Sequence, residues 1–208
     1  MTLRRRFVRI LDRPGLRPIL VFLSTWYFRR KTGLDGQILY DGAWIRRVGD
    51  CYLAEHVTFD WYAGQIAAWR IDLGDVLDMH RDWWFYQYQP KDGDVLVDIG
   101  AGVGEDALLF SKTVGPRGRV LAVEAQPTTF RLLQKTCRYN QLARNTTCIY
   151  GALMDKPGTV RIESRADQRS TISLAPEQSA GRSDLQPAET PRRAPTARST
   201  HAGEHDAA

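Results

Sequence analysis

Residues 93–106 read G-D-V-L-V-D-I-G-A-G-V-G-E-D, and this stretch decides the fold. The run from Asp94 to Ile99 is apolar and ends in a glycine-rich turn, and Glu105 to Val114 then has the apolar spacing of a helix. Glycines let the backbone turn tightly and let a ligand approach without a Cβ in the way. The stretch therefore predicts a strand, a ligand-binding turn and a helix.

The alternation of strand and helix continues along the chain. Patterns of strands cover Arg119 to Ala125, Thr146 to Ala152 and, more briefly, Gly158 to Glu163, and a helical pattern covers Thr128 to Asn140. Such alternation implies parallel strands with right-handed crossovers. We therefore expect an α/β domain over residues 90–163.

The predicted turn and the end of the next strand together carry the chemistry. Glu124 ends the second predicted strand, and a carboxylate there can accept hydrogen bonds from both hydroxyls of a ribose. With the turn, it predicts a nucleoside-containing ligand across the carboxyl ends of the strands. The turn residues of this candidate site are Asp98, Gly100, Ala101, Gly102 and Gly104.

Glycine spacing alone does not identify the nucleoside. A dinucleotide fingerprint G-x-G-x-x-G starting at Gly100 would need a third glycine where Glu105 stands. A shifted register through Gly102, Gly104 and Ala107 fits the looser G-x-G-x-x-A form, so NAD stays open on spacing.

The acidity of the turn favours a different ligand. Asp98, Glu105 and Asp106 crowd it, whereas a pyrophosphate at a helix N-terminus is bound by N–H dipoles without added negative charge. The sulfonium and ammonium groups of S-adenosylmethionine are both positive. Electrostatics therefore favours the methyl donor.

Three segments resemble the front half of an FkbM-type methyltransferase. They are residues 93–106, G-P-R-G-R-V-L-A-V-E-A-Q-P at 115–127, and Y-G-A-L-M-D-K-P-G-T-V-R-I at 150–162. The resemblance implies S-adenosylmethionine as cofactor and a class I Rossmann-like methyltransferase fold. It also implies methylation of hydroxyl groups on sugars, polyketides or related metabolites, so the expected partner is a small-molecule acceptor.

The resemblance assigns two further groups of residues to the cofactor besides Glu124 at the ribose. The residues expected at its methionine end are Asp98, Gly100 and Gly102. The residues expected to flank its adenine are Ala125, Ala152 and Leu153. No general base is nominated, and no metal site is predicted.

The chain departs from the family after Glu163. Family members continue with a strand bearing K-x-D-x-E-G and three more strands, and no such segment follows here. We expect a truncated parallel sheet that lacks one wall of the donor pocket and most of the acceptor site, so that the chain could be inactive alone. Two alternatives stay open: a non-catalytic nucleoside-binding remnant, and an NAD-binding oxidoreductase fragment.

Composition places the chain among globular proteins of one ordinary domain, with 208 residues, 43% of them hydrophobic and 25% charged. Three cysteines without a C-x-x-C pair exclude a disulfide scaffold and suit a cytoplasmic protein. We expect Cys137 and Cys148 to pack in the core. All aromatic residues precede Gly151, and residues 164–208 hold too few large apolar residues to form a core, which predicts a disordered tail.

Residues 1–35 form a basic and apolar arm, with nine Lys or Arg and one acid before Thr32. The apolar run Pro18–Phe28 is too short to cross a bilayer, which takes about 20 residues. Two readings are open: a helix packed on the domain with a solvated basic face, or peripheral contact with an anionic membrane through residues 4–31.

Residues 36–89 predict a β-hairpin followed by an aromatic-rich, loosely helical lead-in. Gln37–Tyr40 and Ala43–Arg46 are strands joined by an Asp-Gly turn. No basic stripe accompanies the lead-in tryptophans, so we expect no nucleic-acid partner and interpret them as core or lid residues. His80 is interpreted as structural. The tryptophans are Trp61, Trp69, Trp83 and Trp84.

Overall fold

The computed structural model describes residues 10–55, 73–156, 158, 160–164 and 170–174. Its helices are α1 (Arg17–Thr32), α2 (Leu73–Trp84), α3 (Glu105–Val114) and α4 (Pro127–Tyr139). Its strands are β1 (Gly36–Tyr40), β2 (Trp44–Val48), β3 (Cys51–Glu55), β4 (Val95–Ile99), β5 (Arg119–Glu124), β6 (Thr146–Tyr150), β7 (Val160–Ser164) and β8 (Ser170–Leu174).

A parallel sheet in the order β4-β5-β6 organises the part of the chain that was expected to bind a nucleoside. Ile99 pairs with Val123, and Glu124 pairs with Tyr150, so the carboxyl ends of the three strands meet at one edge. The predicted α/β class with a Rossmann-like parallel sheet is confirmed. Within the described ranges β4 pairs only with β5, which leaves Val95 63% exposed.

The core of the parallel sheet lies under α3. All five residues from Ala107 to Ser111 on this helix are buried, and so is its last residue, Val114. Buried Asn145, just before β6, accepts a hydrogen bond from the Ser111 hydroxyl at 2.6 Å and donates one to the Gly115 carbonyl. These bonds fix the helix against the far end of the sheet.

The amino-terminal β element is a three-stranded antiparallel sheet rather than the expected hairpin. Tyr40 pairs with Trp44, so a three-residue loop joins β1 and β2 where a two-residue Asp-Gly turn was expected. The third strand, β3, follows a tight turn between Val48 and Cys51. The Gly-Asp dipeptide in that turn is a hairpin signal that sequence reasoning missed.

Helix α4 holds β3 through its polar side chains. The amide of Asn140 bonds both backbone groups of Tyr52: Tyr52 N–H donates to Oδ1 at 3.0 Å, and Nδ2 donates to the Tyr52 carbonyl at 2.6 Å. Ala54 N–H donates to the hydroxyl of Thr136 at 3.0 Å. The amino-terminal sheet is thus hydrogen-bonded to the parallel-sheet unit.

Helix α1 packs on β1, as the first of the two readings of the arm predicts. Leu20, Ser24 and Phe28 are buried, one turn apart. The Thr25 hydroxyl donates to the Ile38 carbonyl and accepts from Ile38 N–H, at 3.2 and 3.1 Å. No described helix has both the length and the apolar character needed to span a bilayer.

The aromatic lead-in is only partly visible, because Trp61 and Trp69 lie outside the described residues. Trp83 is 71% exposed, so it does not lie in the core, and the alternative position in a lid stays a prediction. Phe85, which is 5% exposed, takes the buried position and packs against Phe110 with ring centroids 5.7 Å apart. The stretch has so many aromatic residues that periodicity did not show which of them face inward.

The predicted disordered tail is wrong over Ser170–Leu174, which pairs antiparallel with β7. Ile162 stands opposite Ile172, and Val160 opposite Leu174. Average composition missed this local pairing of alternating β-forming residues. Residues 165–169 and 175–208 lie outside the described ranges.

Cys137 is buried as expected, and its Sγ lies 3.5 Å from that of Cys148.

We expect Phe28→Ala to lower the free energy of unfolding by about 3–5 kcal/mol, because the ring is fully buried between α1 and β1. The matched control is Phe22→Ala on the outer face of the same helix. Its ring is 69% exposed, so the loss should stay within about 0.5 kcal/mol. Urea denaturation followed by circular dichroism measures both. Equal losses would contradict the packing of α1.

Candidate cofactor-binding site

The glycine-rich bend begins where β4 ends. Gly100 N–H and Ala101 N–H both donate to the Val123 carbonyl, at 2.8 and 3.0 Å, so the chain turns across the end of β5. Gly100 and Gly102 have φ angles of +82° and +56°, which residues with a Cβ rarely adopt. The backbone path itself therefore requires glycine at these two positions.

The bend is open on one side and closed on the other. A Cβ at Gly100 would meet nothing within 4 Å, and one at Gly102 would meet only the Gly100 carbonyl at 4.0 Å. A Cβ at Gly104 would lie 2.9 Å from Cδ1 of Leu133 on α4. Gly100 and Gly102 thus border free space, whereas Gly104 lets α3 and α4 approach each other.

Glu124 reaches the bend from the end of β5. Its Oε2 accepts a hydrogen bond from Gly102 N–H at 3.0 Å, and its Oε1 accepts one from Gln126 N–H at 2.7 Å. The predicted placement of Glu124 beside the turn is confirmed. Each carboxylate oxygen has a second lone pair, so both can accept a further hydrogen bond.

Asp98 is the buried acid of the site, with 8% of its surface exposed. Burial raises the pKa of Asp98 to about 6, and the charges of Asp106 and Glu124 add to the rise. Its Oδ2 has no hydrogen-bond partner in the part of the chain that is described. An unpaired buried carboxylate oxygen is costly, and a cationic ligand would satisfy it.

His80 joins the site, which sequence reasoning did not predict. Its Nδ1 lies 2.7 Å from Oδ1 of Asp106, in the first turn of α3. A structural role for His80 stays a prediction. The sequence around His80 and Asp106 did not predict that they meet, because the contact forms only when α2 packs beside α3.

A buried ion pair also approaches the bend. Nε of Arg46 lies 3.0 Å from Oε1 of Glu55, and both side chains are less than a tenth exposed. Burial raises the pKa of Glu55 to about 7, with the Arg46 charge opposing the rise and the Glu105 charge adding to it. Sequence reasoning missed this pair, whose only signal is a charged residue at an inward position of a short strand.

The predicted adenine-flanking residues share the same edge of the sheet. Gly151 N–H donates to the Glu124 carbonyl at 3.1 Å, which brings the segment after β6 beside the acid. Ala125 and Ala152 are half-buried, and Leu153 is 72% exposed. The structure brings these residues together, and their contact with adenine stays a prediction.

The electrostatic character of the site is strongly acidic. Carboxylates from four elements surround or approach the bend. Burial is the main cause of the raised pKa values of two of them, Glu55 and Asp98, and neighbouring carboxylates add to the rise. Such a site can hold hydroxyl groups beside one acid and a positive charge beside another. The carboxylates are Glu55, Asp98, Glu105, Asp106 and Glu124.

Comparisons with known proteins give matches among solved structures. No profile of a known protein family matches the chain. No curated protein matches it either.

Fibrillarin of Aeropyrum pernix, solved with S-adenosyl-L-methionine bound, is 28% identical with a TM-score of 0.31, over 37% of this chain and 31% of that one. An S-adenosylmethionine-dependent O-methyltransferase of Thermotoga maritima is 22% identical with a TM-score of 0.33, over 38% and 34%. TYW2 of P. horikoshii, solved in complex with MeSAdo, is 16% identical with a TM-score of 0.37, over 70% and 53%. The chain thus spans between about a third and a half of these proteins.

We expect Asp98→Asn to stabilise the protein at neutral pH but not in acid. The folded-state pKa of about 6 lies above the ordinary value, so ionising Asp98 opposes folding, and this cost is absent where both states carry the proton. The gain over wild type should be near zero at about pH 4 and complete above about pH 7. Urea denaturation across this range measures it.

Asp94→Asn serves as the control at the other end of β4. The Lys91 N–H and the Tyr88 hydroxyl bond this exposed carboxylate and hold its pKa below the ordinary value, so the sign reverses. This substitution should cost stability at neutral pH and lose its effect as the pH falls. A pH-independent effect of Asp98→Asn would contradict the environment assigned to Asp98.

Proposed function

We propose that the chain binds S-adenosylmethionine and belongs to a methyltransferase that acts on hydroxyl groups. The observation that supports this most is the combination of two acids at the bend. Glu124 accepts a hydrogen bond from Gly102 N–H, and Oδ2 of Asp98 is buried without a hydrogen-bond partner among the described residues. Glu124 would accept hydrogen bonds from hydroxyl groups, and Asp98 would pair with a cation. The resemblance of residues 93–106, 115–127 and 150–162 to FkbM-type methyltransferases supports the same proposal.

The residues around the bend fit this cofactor in charge and in space. Glu124 would accept hydrogen bonds from the two ribose hydroxyls, and Asp98 in its ionised form would bind the ammonium of the methionine end. The missing Cβ atoms at Gly100 and Gly102 leave free space along the bend. The bound cofactor supplies an electrophilic methyl group on a sulfonium.

The adenine would lie between the segment after β5 and the segment after β6. Ala125 and Ala152 are small and half-buried, and Leu153 exposes an apolar surface. A flat, apolar base is bound by such surfaces with little cost in desolvation. We therefore propose that the base lies beside Ala125 and Ala152 and that the methionine end lies beside Asp98.

The acceptor is proposed as a hydroxyl-bearing small molecule. Methyl transfer to oxygen requires an acceptor oxygen in line with the departing sulfur and a group that takes its proton. The residues around the bend would supply the donor half of that arrangement. A remnant that binds the cofactor without transferring its methyl group is the competing proposal, and turnover separates the two.

A dinucleotide is the second candidate cofactor, because Gly102, Gly104 and Ala107 fit the G-x-G-x-x-A form of the dinucleotide-binding motif. Its pyrophosphate would lie at the N-terminus of α3, where Glu105 and Asp106 stand in the first turn. Negative charge there disfavours a phosphate. The acidic bend therefore supports the sulfonium nucleoside instead.

We expect Glu124→Gln to weaken binding of S-adenosylhomocysteine by about 10- to 100-fold, because a neutral amide is a poorer acceptor for the ribose hydroxyls. Isothermal titration calorimetry measures the affinity. The matched control is Asp92→Asn, which removes an exposed carboxylate paired with Arg117 at the opposite end of the sheet. The control should bind like wild type.

Two further arms of the titration decide between the candidates. Tight binding of NADH with no response to S-adenosylhomocysteine would overturn the proposed cofactor. With a labelled methyl donor, transfer to hydroxylated small molecules supports the proposed acceptor class, transfer to RNA replaces it with a nucleic acid, and binding without transfer supports the remnant.

Affinity for S-adenosylmethionine should rise with pH and level off above the pKa of Asp98. The ammonium stays charged up to about pH 7. Ionisation of Asp98, at a pKa of about 6, therefore changes the attraction directly, and ionisation of Glu55, at a pKa of about 7, adds negative charge near the bend. Below the pKa of Asp98 affinity should fall by up to about tenfold per pH unit. Asp98→Asn should bind weakly at every pH, and a pH profile like that of wild type in this variant would contradict the role of Asp98.

A further inference from the structure

Helix α1 has two apolar faces, and only one of them packs against other residues in the part of the chain that the structure describes. Leu20, Ser24 and Phe28 face the core. On the other side, Phe22 is 69% exposed and Trp26 is 57% exposed. The exposed apolar residues recur at the spacing of one helix face: Ile19, Phe22, Leu23 and Trp26. We call this set the outer face of α1.

Positive charge borders the outer face. The last turn of α1 carries Arg29, Arg30 and Lys31, and the helix contains no acid at all. Phe22, Thr25, Trp26, Arg29 and Arg30 line a shallow groove of about 480 Å³. An aromatic floor with guanidinium groups at its rim suits a phosphate headgroup and the first part of its acyl chains.

We propose that the outer face of α1 is a docking surface for an anionic lipid bilayer, with the helix lying in the plane of the membrane. Trp26 and Phe22 would insert at the level of the headgroups, where amphipathic rings are favoured. Arg30 would bind anionic headgroups, whereas Arg29 donates from Nε to the Gly36 carbonyl at 2.7 Å and pairs with Asp35 at 3.4 Å. The buried face of the helix stays on β1 and needs no rearrangement.

Charge complementarity selects this face over the other exposed aromatic surface of the described residues. That second surface, at the end of α2, contains Trp83, Trp84 and Tyr86. Asp78 and Asp82 lie exposed on the same helix, and Arg81 pairs with Asp78, so one acid of this described surface is left without a matching base and the surface keeps a net negative charge that an anionic bilayer repels. A nucleic acid could also contact the basic residues of α1, but its binding is not favoured by the aliphatic side chains of Ile19 and Leu23.

The test is flotation of the full chain with vesicles made of equal parts phosphatidylcholine and phosphatidylglycerol, against vesicles of phosphatidylcholine alone. Wild type should float with the anionic vesicles and bind less as salt is raised. The double variant Phe22→Ser, Trp26→Ser should bind about tenfold more weakly, because the residues that insert are gone. Arg30→Glu should weaken binding to the anionic vesicles only.

Trp83→Ser is the matched control, because it removes an exposed tryptophan from the acidic surface. It should float like wild type. Circular dichroism and the urea midpoint confirm that each variant is folded, as expected for side chains on the outer face. A loss of vesicle binding in Trp83→Ser but not in the double variant would show that the docking surface lies at α2, and it would overturn the proposal.

Three other results would also overturn it. The first is wild type that does not float with anionic vesicles. The second is RNA binding, by fluorescence anisotropy, that depends on Phe22 and Trp26 while vesicle binding does not. The third is a wild-type chain that does not bind vesicles but forms a dimer in analytical ultracentrifugation, with the dimer lost in the double variant. The outer face would then contact a second copy.

Discussion

The hydrogen bond from Gly102 N–H to Glu124 is the constraint on which the candidate site depends. It joins the loop after β4 to the end of β5, at 3.0 Å, and so fixes the bend against the sheet edge. The bond requires the parallel register of the two strands and a positive φ at Gly102. Any residue with a Cβ would strain this backbone, and a one-residue register shift would move Glu124 to the other face of the sheet.

A second constraint determines what surrounds the bend. The amide of Asn140 and the hydroxyl of Thr136 hold the backbone of β3 on α4, and β3 ends in Glu55. An acid from the amino-terminal sheet therefore approaches acids from the parallel-sheet unit. Like charges so placed raise one another's pKa values and lower stability at neutral pH. A bound cation would relieve this repulsion. The same charges that lower the free energy of unfolding would therefore increase the affinity for a positively charged ligand.

The features that sequence predicted are local, and those that it missed are not. The strand, bend and helix around residues 93–106 and the position of Glu124 follow from short-range patterns, because glycine and a strand end determine them nearby. His80 and Asp106 meet only in the folded chain, and so do Tyr52 and Asn140. The strand Ser170–Leu174 was missed for another reason: composition averaged over residues 164–208 concealed its local alternation.

The order of the amino-terminal strands keeps the two charged regions of the molecule apart. Helix α1 packs on β1, whereas β3, at the opposite edge of the β1-β2-β3 sheet, approaches the acidic bend. Each strand adds about 4.8 Å of separation, so the sheet places roughly a Debye length at physiological salt between the two edges. The net charge of +5 is therefore the sum over a basic helix and an acidic bend. The carboxylates of the bend would repel the phosphates of a bilayer bound to α1 only weakly, because salt screens an interaction over this distance.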